Sequence, residues 1–236
     1  MNYEEASGIG GLIKEYRSDL VGFYRPYFDN EDDLNRILSS AFDDDSKDKR
    51  PRWMLNDIYR FVTLANDIEK IRPGRDPLRI LFFRICLEAL STDSETNNKT
   101  FFESFDSYFS EEGKHYILDN FRFTGLYYPE NIDKTECCYY DYFENYQLTC
   151  ADFLSIIRAT RNMVTHDGDY WSMQFWARDT ESVWTTCITT KDEIVACQPK
   201  GTLLTYSFQT TMQYDRFEYY FVQACLNFVK KYLEVM

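Results

Sequence analysis

Histidine is nearly absent from this chain: there are two in 236 residues, His115 and His166, and they stand far apart. The seven cysteines (86, 137, 138, 150, 187, 197 and 225) are odd in number, and none stands in CxxC spacing. A disulfide framework and a Cys/His zinc site are therefore both unexpected. The thiols read as reduced, mostly small buried apolar residues of a cytoplasmic protein. No metal or cofactor is expected. Nowhere do about 18 uncharged apolar residues run together, so no membrane span is expected. The first residues, "MNYEEASGIGG", lack a basic patch followed by an apolar run, so no signal peptide is expected either. Positive charge is also in deficit. Twenty-six Lys and Arg face 39 Asp and Glu, a net charge of −13. That argues against a protein that coats nucleic acid through its overall charge, since phosphate neutralisation supplies most of such affinity. Any nucleic-acid chemistry must rest on a local basic site.

What is present is core material. Apolar residues make up 44% of the chain, with 19 Tyr, 19 Phe and 4 Trp, enough for a large buried interior. Residues 1–50 read as a helical N-terminal extension packed on a helical bundle, with apolar residues at helical spacing over 11–24 and 31–42. "DDDSKDKRPR" (43–52) reads as a solvated loop and as the best boundary before a unit spanning 51–236. A helix is expected from Trp53 to Ile71. Another comes after "RPGRDP", opened by Asp76 and Pro77 and apolar around much of its circumference, as a central bundle helix is. Thr100 opens a further helix or broken pair of helices. The Tyr-rich stretch 121–148 has no clear periodicity and is expected to hold loops and short turns. Thr149 to Asp152 fits a capping box for a helix that Gly168 would end. Residues 171–208 are β-rich, with strands expected at "VWTTCITT", "EIVACQ" and "TLLTYSF". A strong amphipathic helix closes the chain from about Met212. The expected fold is mainly α, an up-and-down helical bundle with the N-terminal extension and a small antiparallel β insert before the last helix.

Within this frame the stretch "ATRNMVTHDGDYW" (159–171) carries a candidate chemistry. At about 100° per residue, Phe153, Ile156, Ile157, Thr160, Met163 and Val164 fall on one side of the helix and face the core. Ser155, Ala159, Asn162 and His166 line up on the opposite side, with Arg158, Arg161 and Thr165 along one edge. Asn162 and His166 are i, i+4 neighbours, so the amide can orient the ring. Arg161 lies roughly 140° around the same wheel from His166. Arg72, Arg75 and Arg79 in "RPGRDPLR" offer further positive charge at a turn before a helix, where phosphate can bind. Solvated surface is the blander use of those three. For His166 and Arg161 the bland use is a helix-end histidine and a surface ion pair.

"RNMVTH" has the form Arg-Asn-x-x-x-His at the C-terminal end of a bundle helix, and it resembles the R-x4–6-H motif of HEPN domains. The resemblance implies a helical, metal-independent endoribonuclease of the kind found in toxin–antitoxin, abortive-infection and phage-defence systems. It implies catalytic roles for Arg161, His166 and Asn162, RNA as the substrate and a homodimer built through the Arg161–His166 helix. An antitoxin partner is also implied, and no membrane. Arg158, Arg72, Arg75 and Arg79 are candidates for RNA binding. The β-rich segment and the N-terminal extension depart from the simplest members. The alternative reading is a HEPN-like nucleotide- or protein-binding module without catalysis.

Overall fold

A computed structural model describes residues 18–43, 45–95, 97–127, 147–177, 184–190 and 204–235. The expected strand at 193–198 and most of the 121–148 stretch lie outside the described residues. The chain is mainly helical, with a small antiparallel sheet.

Residues 18–24 are helical and run into a 3-10 turn, Arg25–Tyr27. Helix α1 (Glu31–Ala41) starts at Asn30, whose side chain accepts a hydrogen bond from the Asp33 amide. It buries Leu34, Ile37, Leu38 and Ala41, the expected three-and-four spacing. Helix α2 (Arg50–Ile71) begins before Trp53 because Pro51 occupies its first turn, where a missing N–H costs nothing. The charged loop ahead of it is tied down rather than only solvated. Asp48 accepts bonds from Arg50 Nε at 2.8 Å, Arg50 Nη2 at 2.7 Å and the Arg50 amide at 2.9 Å. It also accepts one from Tyr232 Oη at 3.0 Å. The Arg50 hydrogen bonds hold its carboxyl at about 2.

Helix α3 (Asp76–Asp93) has Pro77 in its first turn. Asp76 does not serve as its N-cap: its carboxylate instead accepts the Phe175 amide at 2.8 Å and Arg79 Nη1 at 3.2 Å. The expected broken pair appears as α4 (Asn98–Ser104), a 3-10 turn (Phe105–Tyr108) and α5 (Glu111–Asn120), restarted by Ser110 as N-cap. Next comes strand β1 (Phe121–Tyr127), where loops and turns were expected. Its Phe-Arg-Phe alternation is broken by a bulge between Phe123 and Gly125, which hides the period-two signal. Helix α6 (Cys150–Asn162), strands β2 (Trp184–Thr190) and β3 (Leu204–Thr210), and helix α7 (Tyr214–Val235) complete the described elements. The sheet order is β1-β3-β2, all antiparallel. The β insert between α6 and α7 is therefore present, but a strand from ahead of α6 completes its sheet.

The core is an aromatic seam. Phe208 of β3 stacks on Phe121 at 5.0 Å, and Phe121 meets Phe153 of α6 edge-on at 5.2 Å. Phe217 of α7 then joins Phe153 at 5.6 Å to Phe83 of α3 at 5.4 Å. Leu20, Tyr24 and the buried residues of α1 belong to the same apolar cluster, and Tyr24 Oη donates to the Leu55 carbonyl at 2.6 Å. Among the described residues no helix is long and apolar enough to cross a membrane.

The α2–α3 contact carries a pH-sensitive element. Burial, and the charge of nearby Asp57, push the Asp93 carboxyl up to about 6 from 3.8. The folded chain thus holds an extra proton between these values, and stability falls as pH rises from about 4 through 6. After discounting for partial exposure, the cost above pH 6 is about 1–2 kcal/mol. Asp93→Asn is expected to recover that amount at pH 7 and to flatten the slope, read by thermal melts at pH 4.5 and 7.5. An unchanged slope refutes it.

Candidate functional site

Helix α6 starts with the expected capping box. Thr149 Oγ1 accepts the Asp152 amide at 3.2 Å, and Asp152 Oδ2 accepts the Thr149 amide at 2.8 Å. Phe153, Ile156, Ile157, Thr160, Met163 and Val164 are all buried, so the core face is the one read from the wheel. The opposite side is less open than expected. Ala159 is buried, Ser155 and Asn162 are half-buried, and only His166 of that set is exposed. Helix α6 packs against α3 and also touches β2, so it is covered from two directions.

The helix does not end as a straight α-helix. Met163–Asp167 form a π turn, closed by Gly168 at φ +66°, where the left-handed backbone suits glycine. The Asp169 amide bonds the Met163 carbonyl at 3.2 Å. Wider turns rotate each residue less, roughly 80° in place of 100°. The angle between Arg161 and His166 therefore shrinks from about 140° to about 80°. His166 stands exposed on this turn, one residue before its last position.

Arg161 is half-buried and engaged. Its Nη1 donates to Asn162 Oδ1 at 3.1 Å, and its Nη2 lies 3.7 Å from Glu88 Oε2 on α3. Its Nε is buried without a hydrogen-bond partner among the described residues. Glu88 Oε1 also takes Arg84 Nε at 3.1 Å. Arg84 is only 9% exposed at its side chain and lies over the Phe102 ring at 3.2 Å. Burial pulls its pKa down to about 10, and the charges of Arg158 and Arg161 add to that shift. Two guanidinium groups thus share the Glu88 carboxylate, and the charge of Arg158 reaches Arg84, on a protein that is otherwise strongly acidic. Such a group favours an incoming anion.

The sequence placed Arg161, Asn162 and Arg158 together, but Arg84 and Glu88 were missed. A signal existed: Arg84 interrupts the apolar run "LRILFFRICLEAL", and a charge in such a helix needs a partner. Glu88 stands four residues on, at salt-bridge spacing.

The turn arginines lie elsewhere. Arg72 closes α2, its amide bonding the Ile68 carbonyl at 2.7 Å, and its side chain is exposed. Arg75 lies over the Trp171 ring at 3.5 Å. Arg79 is 11% exposed, paired with Asp76 and set over the Tyr214 ring at 2.9 Å. Its guanidinium is committed to the fold. These three do not join Arg161.

Among the described residues, no group of three or more His, Cys, Asp or Glu is placed to hold a metal ion. No protein-family model, curated protein or solved structure matches the chain.

Glu88 restrains the cluster. Glu88→Gln is expected to destabilise the fold by about 1–2 kcal/mol, less than a fully buried pair would lose because Glu88 is a third exposed. It should also tighten binding of phosphate-rich ligands several-fold at low salt, an effect that fades as salt rises. A melt and a salt series with a single-stranded oligonucleotide check both signs.

Proposed function

We propose that the chain is a metal-independent endoribonuclease of HEPN type. The observation that carries this reading is the pairing of a held arginine cluster with an exposed histidine on the next turn. Arg161 is fixed between Asn162 and Glu88, beside Arg84 and Arg158, and His166 projects from the adjoining π turn. π turns of this kind recur at functional sites.

The chemistry follows from the residue types. The RNA 2′-oxygen attacks the adjacent phosphorus, and the bond to the 5′-oxygen breaks. The products are a 2′,3′-cyclic phosphate and a 5′-hydroxyl. Imidazole either takes the 2′-OH proton or protonates the leaving 5′-oxygen. Arg161, planar and permanently charged, neutralises the non-bridging oxygens as negative charge builds. Asn162 holds the Arg161 fork. In a homodimer through the end of α6, two copies of His166 divide the acid and base roles. The RNA target of such an enzyme is set in a defence or toxin–antitoxin setting, with an antitoxin as its restraint.

One observation favours a second reading. Glu88 already occupies part of the Arg161 fork, as suits a nucleotide- or protein-binding module that does not cleave. Labelled RNA incubated in EDTA separates the two: cleavage to cyclic-phosphate ends supports the enzyme, and retention of intact RNA by bound protein supports the module.

A further inference from the structure

Gly74 and Asp76 of "RPGRDP" and Trp171, five residues beyond His166, line a cleft of about 460 Å³ that includes no residue of the Arg161 cluster. Along α3, Asp76 at the cleft and Glu88 at the cluster are twelve residues apart, roughly 18 Å of helix. The cleft is built rather than incidental. The Asp169 carboxylate accepts the Trp171 amide at 2.8 Å, a turn that pushes the indole outward. Arg75 packs on that indole at 3.5 Å, while 65% of Trp171 remains exposed. Trp176, whose amide bonds the Met212 carbonyl at 2.8 Å, lines the same cleft. An indole held on one side and open on the other is a stacking platform.

The polar groups around it are of mixed kind. Gln174 lines the wall with its amide nitrogen buried and without a partner among the described residues, and Arg79 Nε is in the same condition. Buried donors of this sort call for an acceptor oxygen. Opposite in character, Glu69 and Asp215 bring carboxylates to the cleft. Glu69 Oε2 takes the Gly74 amide at 3.3 Å and lies 3.8 Å from Arg79 Nη1, while the Glu69 side chain remains 49% exposed. A flat ligand matching this set carries a carbonyl acceptor beside N–H donors. Phosphate does not match, because the carboxylates repel it.

We propose that this cleft binds an unpaired guanine base, stacked on Trp171, with its carbonyl toward Gln174 and its ring N–H and amino group toward Glu69 or Asp215. Guanine alone among the four RNA bases places a carbonyl next to two such donors on one edge. Adenine and cytosine lack that edge, and uracil has one donor there. The inference rests on the RNA reading for its meaning, naming the base held several nucleotides from the Arg161 cluster. Its chemistry is independent of cleavage.

The test uses the four nucleoside 5′-monophosphates on the whole protein, by calorimetry and saturation-transfer NMR, so that the phosphate contribution cancels. The guanine nucleotide is expected to bind about tenfold more tightly than the other three. Trp171→Ala should weaken all binding roughly tenfold. Trp171 is exposed, so this variant keeps its fold, which circular dichroism confirms. Glu69→Gln or Asp215→Asn should erase the guanine preference while stacking persists. Equal binding of all four bases, no binding at millimolar concentration, or full binding by Trp171→Ala overturns the proposal. So does preferential binding of agmatine, which marks the cleft as an organic-cation site instead. Guanine binding without RNA cleavage leaves this inference standing and removes the ribonuclease; cleavage without guanine preference does the reverse.

Discussion

His166→Ala is expected to lower RNA cleavage in EDTA by roughly a hundredfold to ten-thousandfold, the range lost with a general acid or base. His166 is exposed on the closing turn of α6, so its removal should move stability by no more than about 0.5 kcal/mol. Loss of activity without loss of fold is the signature of chemistry at that ring. Arg161→Ala should cost a comparable factor, about a hundred to a thousand, through lost charge stabilisation. Arg161→Lys is the sharper variant. It keeps the charge near Glu88 but loses the planar fork shared with Asn162, so it should recover only part of the activity. Single-turnover rates with a short labelled RNA, beside melting temperatures for each variant, read both quantities. Cleavage at the parent rate by His166→Ala would falsify the assignment of that residue, and equal background in all variants removes the enzyme altogether.

Phe217→Ala is expected to be the most damaging single core change, at about 3–5 kcal/mol and a fall in melting temperature of roughly 10 °C. Phe217 is fully buried, meets Phe83 and Phe153 edge-on, and stacks on Phe175 at 5.5 Å. It thereby ties α7 to α3, to α6 and to the segment carrying Gln174 and Trp171. The cavity left by its ring cannot be filled from one side without opening another. Binding in the cleft should weaken as well, because Phe175 loses its stacking partner and keeps the edge-on contact with Tyr214 at 5.3 Å and the Asp76 clamp on its amide. Calorimetric melting settles the first part, and a drop under about 3 °C would show that the seam is not organised around this residue.

Much of the fold was legible because it depends on local chemistry. The three-and-four spacing of Leu34, Ile37 and Leu38, the capping box at Thr149 and Asp152, and the glycine that closes α6 are short-range signals. Each holds in the structure. Strand β1 was not legible. Its pairing with β3 joins Phe121 to Thr210 across most of the second half of the chain, and a bulge disrupts its alternation. Asp76 shows the same limit at one residue. Its spacing before Pro77 reads as a cap, but the Phe175 amide and Arg79 claim its carboxylate instead.

The sequence by itself determined a mainly helical protein, with a buried core face on α6 and the residues Arg161, Asn162 and His166 at the end of that helix. Period, caps and glycine are properties of neighbouring residues, so a linear reading reaches them. Only the tertiary structure decided what surrounds that end. It brought Arg84 and Glu88 from another helix to Arg161, turned Arg79 into the core, and set Arg75 against Trp171. Charges far apart in the chain acquire partners only when packing excludes water between them, and no local pattern records which ones will meet.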